Sequence, residues 1–125
     1  MAEWASVEHY IKSNYIVGNQ EGTWINLAFD LGNGRSQAVM VTRAGSLVQF
    51  ISPFASRDAV SMDQVFAAMR EETVLLGITS IDGVLLVTHS QLLATADEEE
   101  IDMGISLVVH TADTLAQRLS AIDRF

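Results

Sequence analysis

Cysteine is absent from the 125-residue chain, and proline occurs once, at Pro53. The chain therefore has no disulfide, no thiolate ligand for a metal and no cysteine nucleophile. Uninterrupted apolar runs, such as those at 74–76 and 84–87, are far shorter than the ~20 residues that a membrane-spanning helix needs. The first residues also lack the basic start of a secretory signal. We therefore expect a cytoplasmic protein with no membrane partner.

Basic residues are scarce, with seven Lys and Arg against 16 Asp and Glu and a formal net charge of −9. The resulting field repels phosphate backbones and anionic lipids, so we expect no nucleic acid partner. The acidity has two interpretations. It keeps a chain that is 49% hydrophobic soluble, or it attracts a basic segment of a partner protein.

Three segments have the apolar periodicity of helices. The first is predicted at 2–15. The second begins after Ser61, which has the spacing of a capping box with Gln64, and stops by Glu72. The third follows Asp97, a good N-cap, and we expect it to pack across a sheet. Its stripe consists of Ile101, Ile105, Val108, Ala112, Leu115, Leu119 and Ile122.

Five segments are predicted as strands from their alternation and from the turns between them. Asn33-Gly34 and Asp82-Gly83 are typical of tight hairpins, because both central positions need positive φ. The segments 18–22 and 52–60 are predicted as a turn and a long loop. The predicted strands are 24–31, 36–42, 47–51, 74–80 and 84–89.

The order of these elements predicts one α+β domain over 1–125. It contains a helix, a three-strand antiparallel meander, a second helix, a β-hairpin and a long C-terminal helix. At 125 residues the chain has the usual size of one domain.

No pattern of catalytic, cofactor-binding or metal-binding residues is present. His9, His89 and His110 are scattered over different elements without the spacing of a zinc site. The acidic run 97–100 suits the start of a helix better than a calcium loop, and 32–35 suits a hairpin turn better than a phosphate loop. We therefore predict no enzyme activity, no cofactor and no metal.

The chain resembles the type III secretion chaperone-like fold, and more narrowly the bacterial YbjN-type family of sensory transduction regulators. The resemblance spans nearly the whole chain and is carried by Ile81-Asp82-Gly83-Val84-Leu85, Ser90-Gln91-Leu92-Leu93, the acidic helix start 97–100, Ala112-Asp113 and Leu115. It implies helices on one side of a curved antiparallel sheet, and a homodimeric protein with a binding or regulatory role. It also implies a dimer interface on the second helix and the strand beside it, at Val65, Phe66, Met69 and Leu76.

Aromatic and methionine side chains around the predicted loop 52–60 suggest a partner-binding surface. Long loops often bind, and methionine surfaces adapt to varied partners. Most of these side chains are expected in the core. The predicted binding surface therefore consists of the few that stay exposed. The candidates are Phe50, Phe54 and Met62.

Two functions remain open at this stage. The preferred one is a non-enzymatic, chaperone-like protein-binding or regulatory module, a homodimer that holds a protein or peptide client. The alternative is a small-molecule sensor with a pocket between sheet and helices. The sensor needs an interior polar group, for which Asn26, Gln37, Gln49 and His89 are the strand candidates.

Overall fold

A computed structural model describes residues 3–74 and 76–119 of the chain. Three helices and six strands make up these residues. The helices are α1 (Trp4–Asn14), α2 (Met62–Glu71) and α3 (Glu98–Arg118). The strands are β1 (Val17–Glu21), β2 (Trp24–Gly32), β3 (Arg35–Ala44), β4 (Leu47–Ser56), β5 (Gly77–Ile81) and β6 (Val84–Leu92). Single 3₁₀ turns follow β4 at Arg57–Ala59 and β6 at Leu93–Thr95.

The strands form one antiparallel sheet in the order β1-β2-β3-β4-β6-β5. After the β1–β4 meander, the chain forms α2 and returns as the β5–β6 hairpin, with β6 beside β4 and β5 at the edge. The α+β fold class is thereby confirmed. No helix of the described residues is long and apolar enough to cross a membrane.

Both predicted hairpin turns are confirmed. Asn33 and Gly34 have φ of 55° and 74°, and Asp82 and Gly83 have φ of 50° and 79°. These paired positive angles are those of the two-residue turns whose twist matches that of the flanking strands. The hairpins consequently bring β2 against β3 and β5 against β6 in the expected antiparallel pairs.

The turn predicted at 18–22 was wrong except at Gly22, because Val17–Glu21 is the edge strand β1 and Gly22, with φ of 58°, begins the turn to β2. Its sequence does not alternate between apolar and polar residues, so its pairing with β2 defines it rather than its own pattern. Two side-chain hydrogen bonds support it. The Asn26 amide donates to Asn19 Oδ1 (2.5 Å), and the Gln20 amide donates to Glu8 Oε2 of α1 (2.6 Å).

The loop predicted at 52–60 was wrong over its first half, because β4 continues to Ser56. Proline cannot donate a ladder hydrogen bond and is tolerated at bulges. Here the register shifts between Pro53 and Ala55, and the extra residue, Phe54, is buried in the core with Ala55.

The strand predicted at 74–80 begins only at Gly77. Residues beyond α2 first complete its cap: the Val74 N–H donates to the Met69 carbonyl (2.8 Å) and the Thr73 N–H to the Arg70 carbonyl (3.3 Å). This pair of bonds is the Schellman motif, which delays the return to extended backbone.

The helices lie on one face of the sheet, and α3 contacts β3, β4 and β6, as its apolar stripe predicts. Gly104 allows close approach, since a Cβ there would lie 2.7 Å from the Phe50 ring. Ile122, the last residue of the predicted stripe, lies outside the described residues. The buried part of the stripe is Ile101, Ile105, Val108, Ala112, Leu115 and Leu119.

Polar contacts fix the helix layer. Ser61 forms the predicted capping box with Gln64, and Asp97 accepts from the Glu100 N–H (2.9 Å). Arg118 of α3 contacts Glu71 at the end of α2 and also pairs with Glu72 (3.4 Å).

Candidate partner-binding surface

The pairing register divides the sheet residues between two faces. Val41, Phe50 and His89 lie opposite one another on β3, β4 and β6, on the face that α3 covers. One residue along, Met40 and Ile51 belong to the other face. We call these the covered face and the open face, because the described helices pack on the first alone.

An apolar groove crosses the open face and encloses about 590 Å³. Every strand of the sheet contributes to it, because its lining extends from β1 and β2 at one edge to the β5–β6 hairpin at the other. We call it the open-face groove and define it by its lining residues, Glu21, Trp24, Asn26, Met40, Pro53, Ile81, Asp82, Val84 and Leu86.

The floor and the ends of the open-face groove differ in exposure. Leu86 on β6 is only 3% exposed although no described helix covers it, because neighbouring strand side chains surround it. Trp24 is 38% exposed and Ile81 is 45% exposed, and both lie on the same groove. The groove therefore presents apolar area that residues 3–74 and 76–119 leave uncovered.

Polar groups are few in the open-face groove and lie toward its ends. Glu21 closes β1, and Asp82 lies in the β5–β6 turn, and both are exposed. Asn26 contributes an amide that its hydrogen bond to Asn19 holds in place. None of the lining residues is Lys, Arg or His, so the site has negative charge at both ends.

A second apolar surface lies on the helix layer. Phe66 of α2 is 55% exposed, and Met62 at the start of the same helix is also exposed. A hollow of about 290 Å³ lies between α3 and the chain after α2, where Val74 and Leu76 face Leu107. Met69 and Leu76 are half-buried against the core.

The predicted interface and binding residues are thus divided between surface and core. Phe66 and Met62 are exposed, as an interface requires, and Met69 and Leu76 are partly so. Val65 is fully buried, because the fourth residue of α2 faces the sheet. It therefore supports the helix without reaching a partner.

Phe50 and Phe54 are corrections to the predicted partner-binding set. Both are buried in the core, because β4 runs through 47–56 and its covered-face side chains pack beneath the helices. Neither side chain is accessible to a partner. Trp24 and Met40, which line the open-face groove, were not predicted. Alternation places them on the less apolar side of β2 and β3, but it does not show that this side stays uncovered.

Two interior polar side chains of the covered face, Gln37 and Gln91, use their amide nitrogens within the protein, and Gln91 donates to the Glu100 carbonyl (2.6 Å). Gln91 Oε1 is buried without a hydrogen-bond partner among the described residues. The Gln37 amide donates to Ser52 Oγ (2.8 Å) and to the Pro53 carbonyl (2.5 Å). The His89 ring stacks on Phe50 with centroids 6.0 Å apart, and its partial burial lowers its pKa. Within residues 3–74 and 76–119 no group of three or more His, Asp or Glu side chains is arranged to hold a metal ion.

A tyrosine pair joins α1 to α3. The hydroxyls of Tyr10 and Tyr15 donate to the two oxygens of Asp102, at 2.8 Å and 2.5 Å. The hydrogen bond to this carboxylate is the main cause that raises the pKa of Tyr10 to about 12, and burial followed by the same hydrogen bond raises the pKa of Tyr15. None of these three residues lines the open-face groove, and their hydrogen bonds connect the first helix segment with α3.

Comparison with known proteins identifies the fold. The chain superposes on a chain of the HopA1-SchA chaperone-effector complex with a TM-score of 0.64 and 8% identity, covering 91% of this chain and 94% of that chain. It also superposes on a chain of the ExsC-ExsE complex with a TM-score of 0.66 and 11% identity, covering 95% and 97%. The type III secretion chaperone-like fold is thereby confirmed.

The sequence itself has no such match. No family model matches the chain, and no curated protein matches it. Membership of the YbjN-type family therefore stays a prediction.

Proposed function

We propose that this chain is a non-enzymatic, chaperone-like protein-binding module that holds an extended segment of a partner protein in the open-face groove. One observation carries the proposal: an apolar groove crosses the whole sheet on the face that the described helices leave open. A concave, mostly apolar surface with a few polar groups is typical of a binding site. The similarity in fold to a chain of a chaperone-effector complex supports it.

The shape of the open-face groove favours a peptide segment over a compact ligand. Its lining reaches from β1 to β5, and strand spacings of ~4.8 Å place these edges about 24 Å apart along the sheet. An extended segment of roughly seven residues spans that distance at ~3.3 Å per residue. Alternate side chains of such a segment would point into the groove.

The small-molecule alternative lacks support where it was expected. It required a pocket between sheet and helices, lined by an interior polar group. In that layer Phe50 packs closely against Gly104, and Gln37 is satisfied by Ser52 and Pro53. At these two positions the layer is closely packed, and the Gln37 amide is not free for a ligand.

We further propose that the module acts as a homodimer in the cytoplasm, with α2 at the interface. Phe66 and Met62 give α2 an exposed apolar side, and the half-buried Met69 and Leu76 extend it toward β5. A homodimer formed through this side would cover apolar area and leave the open-face groove to the partner segment.

Selection from a displayed library of random 12-residue peptides tests the binding proposal. Peptides enriched on the wild-type chain are re-tested on Met40→Asp, which puts a charge on the groove floor, and on Ser90→Asp, an open-face position outside the groove lining. We expect peptides whose binding is lost in Met40→Asp and retained in Ser90→Asp. If no enriched peptide depends on Met40, the proposal is wrong.

Light scattering coupled to size exclusion tests the homodimer. We expect twice the chain mass for the wild type, and a folded monomer for Phe66→Asp. Met103→Asp is the control, because Met103 is also an exposed apolar residue but lies on α3. A wild-type monomer would contradict the homodimer without affecting the groove proposal.

A further inference from the structure

The two carboxylates of the open-face groove lie at opposite edges of the sheet. Glu21 belongs to β1, and Asp82 to the turn between β5 and β6. Both are exposed, and the apolar floor around Met40 and Leu86 lies between them. A segment lying along the groove would therefore have one acidic group near each end.

Neither carboxylate has an ion-pair partner among the described side chains. In contrast, three cations pair with carboxylates of the helix layer: Lys12 with Glu8, Arg35 of β3 with Asp113, and Arg118 with Glu71 and Glu72.

Arg57 is the basic residue that adjoins the Asp82 turn. It does so through its backbone, since its N–H donates to the Gly83 carbonyl (2.8 Å). Its side chain does not line the groove. The charge at this end of the groove is thus available to a cation from outside the chain.

We propose that the partner segment is basic at both ends and apolar in its middle, so that Lys or Arg side chains reach Glu21 and Asp82 while apolar side chains pack between Trp24, Met40 and Leu86. This inference rests on the proposed function, because it specifies the chemistry of the segment in the same groove. The basic residues would be separated by roughly the seven extended residues that span the sheet. The net charge of −9 adds long-range attraction that speeds encounter with such a segment.

The Met40-dependent peptides supply the first test. We expect Lys and Arg to be enriched in them over the starting library, on both sides of an apolar stretch. If these peptides carry no excess of Lys and Arg, the inference is overturned while the proposed function stands. If no peptide depends on Met40, both are overturned.

Titration of one selected peptide gives the second test, by fluorescence anisotropy with the full chain. Its Kd is compared for wild type, for Glu21→Gln/Asp82→Asn, and for the control Asp63→Asn/Glu99→Gln, which removes the same charge from two helix starts. We expect the groove variant to bind about threefold to tenfold more weakly, as for two exposed ion pairs, with little change in the control. Asn suits position 82, because it tolerates the positive φ of the turn.

A matched peptide separates charge from shape. Replacing its Lys and Arg by Gln should weaken binding to wild type more than binding to the groove variant, because the two local ion pairs have already been removed in that variant. Circular dichroism establishes that both double variants are folded. Equal loss of affinity in the groove variant and the control would overturn the inference, since it would show an effect of net charge alone.

Discussion

The covered and open faces of the sheet both carry apolar side chains, but they differ in how far these side chains are buried. On the covered face, α3 approaches so closely that a Cβ at Gly104 would lie 2.7 Å from the Phe50 ring. On the open face, Leu86 is buried by its neighbours, but Trp24 and Ile81 remain 38% and 45% exposed. Apolar area on the first face is therefore buried by folding, whereas on the second much of it stays exposed in the described residues.

The largest effect is expected from Phe50→Ala, which empties the centre of the covered face. Phe50 is fully buried, so its removal costs both transfer free energy and a cavity, about 3–5 kcal/mol of unfolding free energy. Urea unfolding followed by circular dichroism measures it.

Ile81→Ala is the open-face control for Phe50→Ala. Because nearly half of the Ile81 side chain is already exposed, we expect a loss of about 1 kcal/mol. Similar losses for the two variants would show that the faces do not differ as the structure indicates.

A smaller loss of stability is expected from Gly104→Ala, which tests how closely α3 packs on the covered face. The added Cβ would meet three atoms of the buried Phe50 ring at 2.7–2.9 Å. Overpacking of this kind costs about 1–3 kcal/mol, partly offset by the ~1 kcal/mol that alanine gains over glycine in a helix. We expect a net loss of about 1 kcal/mol in urea unfolding.

Ser106→Ala on the same helix is the matched control for Gly104→Ala. Ser106 is exposed, so only the better helix propensity of alanine applies, and stability should rise by a few tenths of a kcal/mol. If Gly104→Ala also stabilised the protein, the close packing of α3 on β4 would be wrong.

The sequence was most informative where the signal is local. The stripe of α3 and the turns at Asn33-Gly34 and Asp82-Gly83 come from helix periodicity and backbone sterics, and the structure confirms them. The strand β1 has no such signal, because an exposed edge strand is defined by the partner that it pairs with. The second half of β4 was not predicted because proline usually ends a strand. Here a bulge between Pro53 and Ala55 allows the strand to continue.

The open-face groove could not be predicted from the chain alone. Its lining joins residues from 21 to 86 that six strands bring together, and alternation does not say which face of a strand the helices will cover. Phe50 and Phe54 were among the binding candidates because 52–60 was predicted as a long loop, whereas β4 continues to Ser56 and buries both. The homodimer and the role of Phe66 are predictions that no part of the structure tests.

A gain in stability is expected from Thr73→Gly, just after the C-terminal end of α2. Thr73 has φ of 53°, a left-handed conformation that is strained for a β-branched residue, and it occupies the Schellman position that glycine prefers. Relief of this strain, less the entropy that glycine loses on folding, should add about 0.5–1 kcal/mol in urea unfolding.

Asn33→Gly is the control for Thr73→Gly. Asn33 has nearly the same φ, 55°, but asparagine tolerates this region, so its replacement should change stability little. Equal gains at both positions would mean that the β-branched side chain of Thr73 is not strained.

The last prediction concerns the stability of the protein at alkaline pH, which depends on the tyrosine cluster between α1 and α3. The pKa of Tyr10 is raised to about 12 by its hydrogen bond to Asp102, and the pKa of Tyr15 is raised as well. Because an unfolded tyrosine titrates near 10, the unfolded state loses protons first as pH rises from about 10 to about 12. The contribution of the cluster to stability is therefore complete below pH 10 and is lost across this window.

Urea unfolding at pH 8 and pH 11 tests this. The free energy of unfolding should fall more between the two pH values for wild type than for Asp102→Asn, which removes the charge that opposes tyrosinate. Equal losses would show that the helix layer is held by its apolar contacts, with no net contribution from the tyrosine pair.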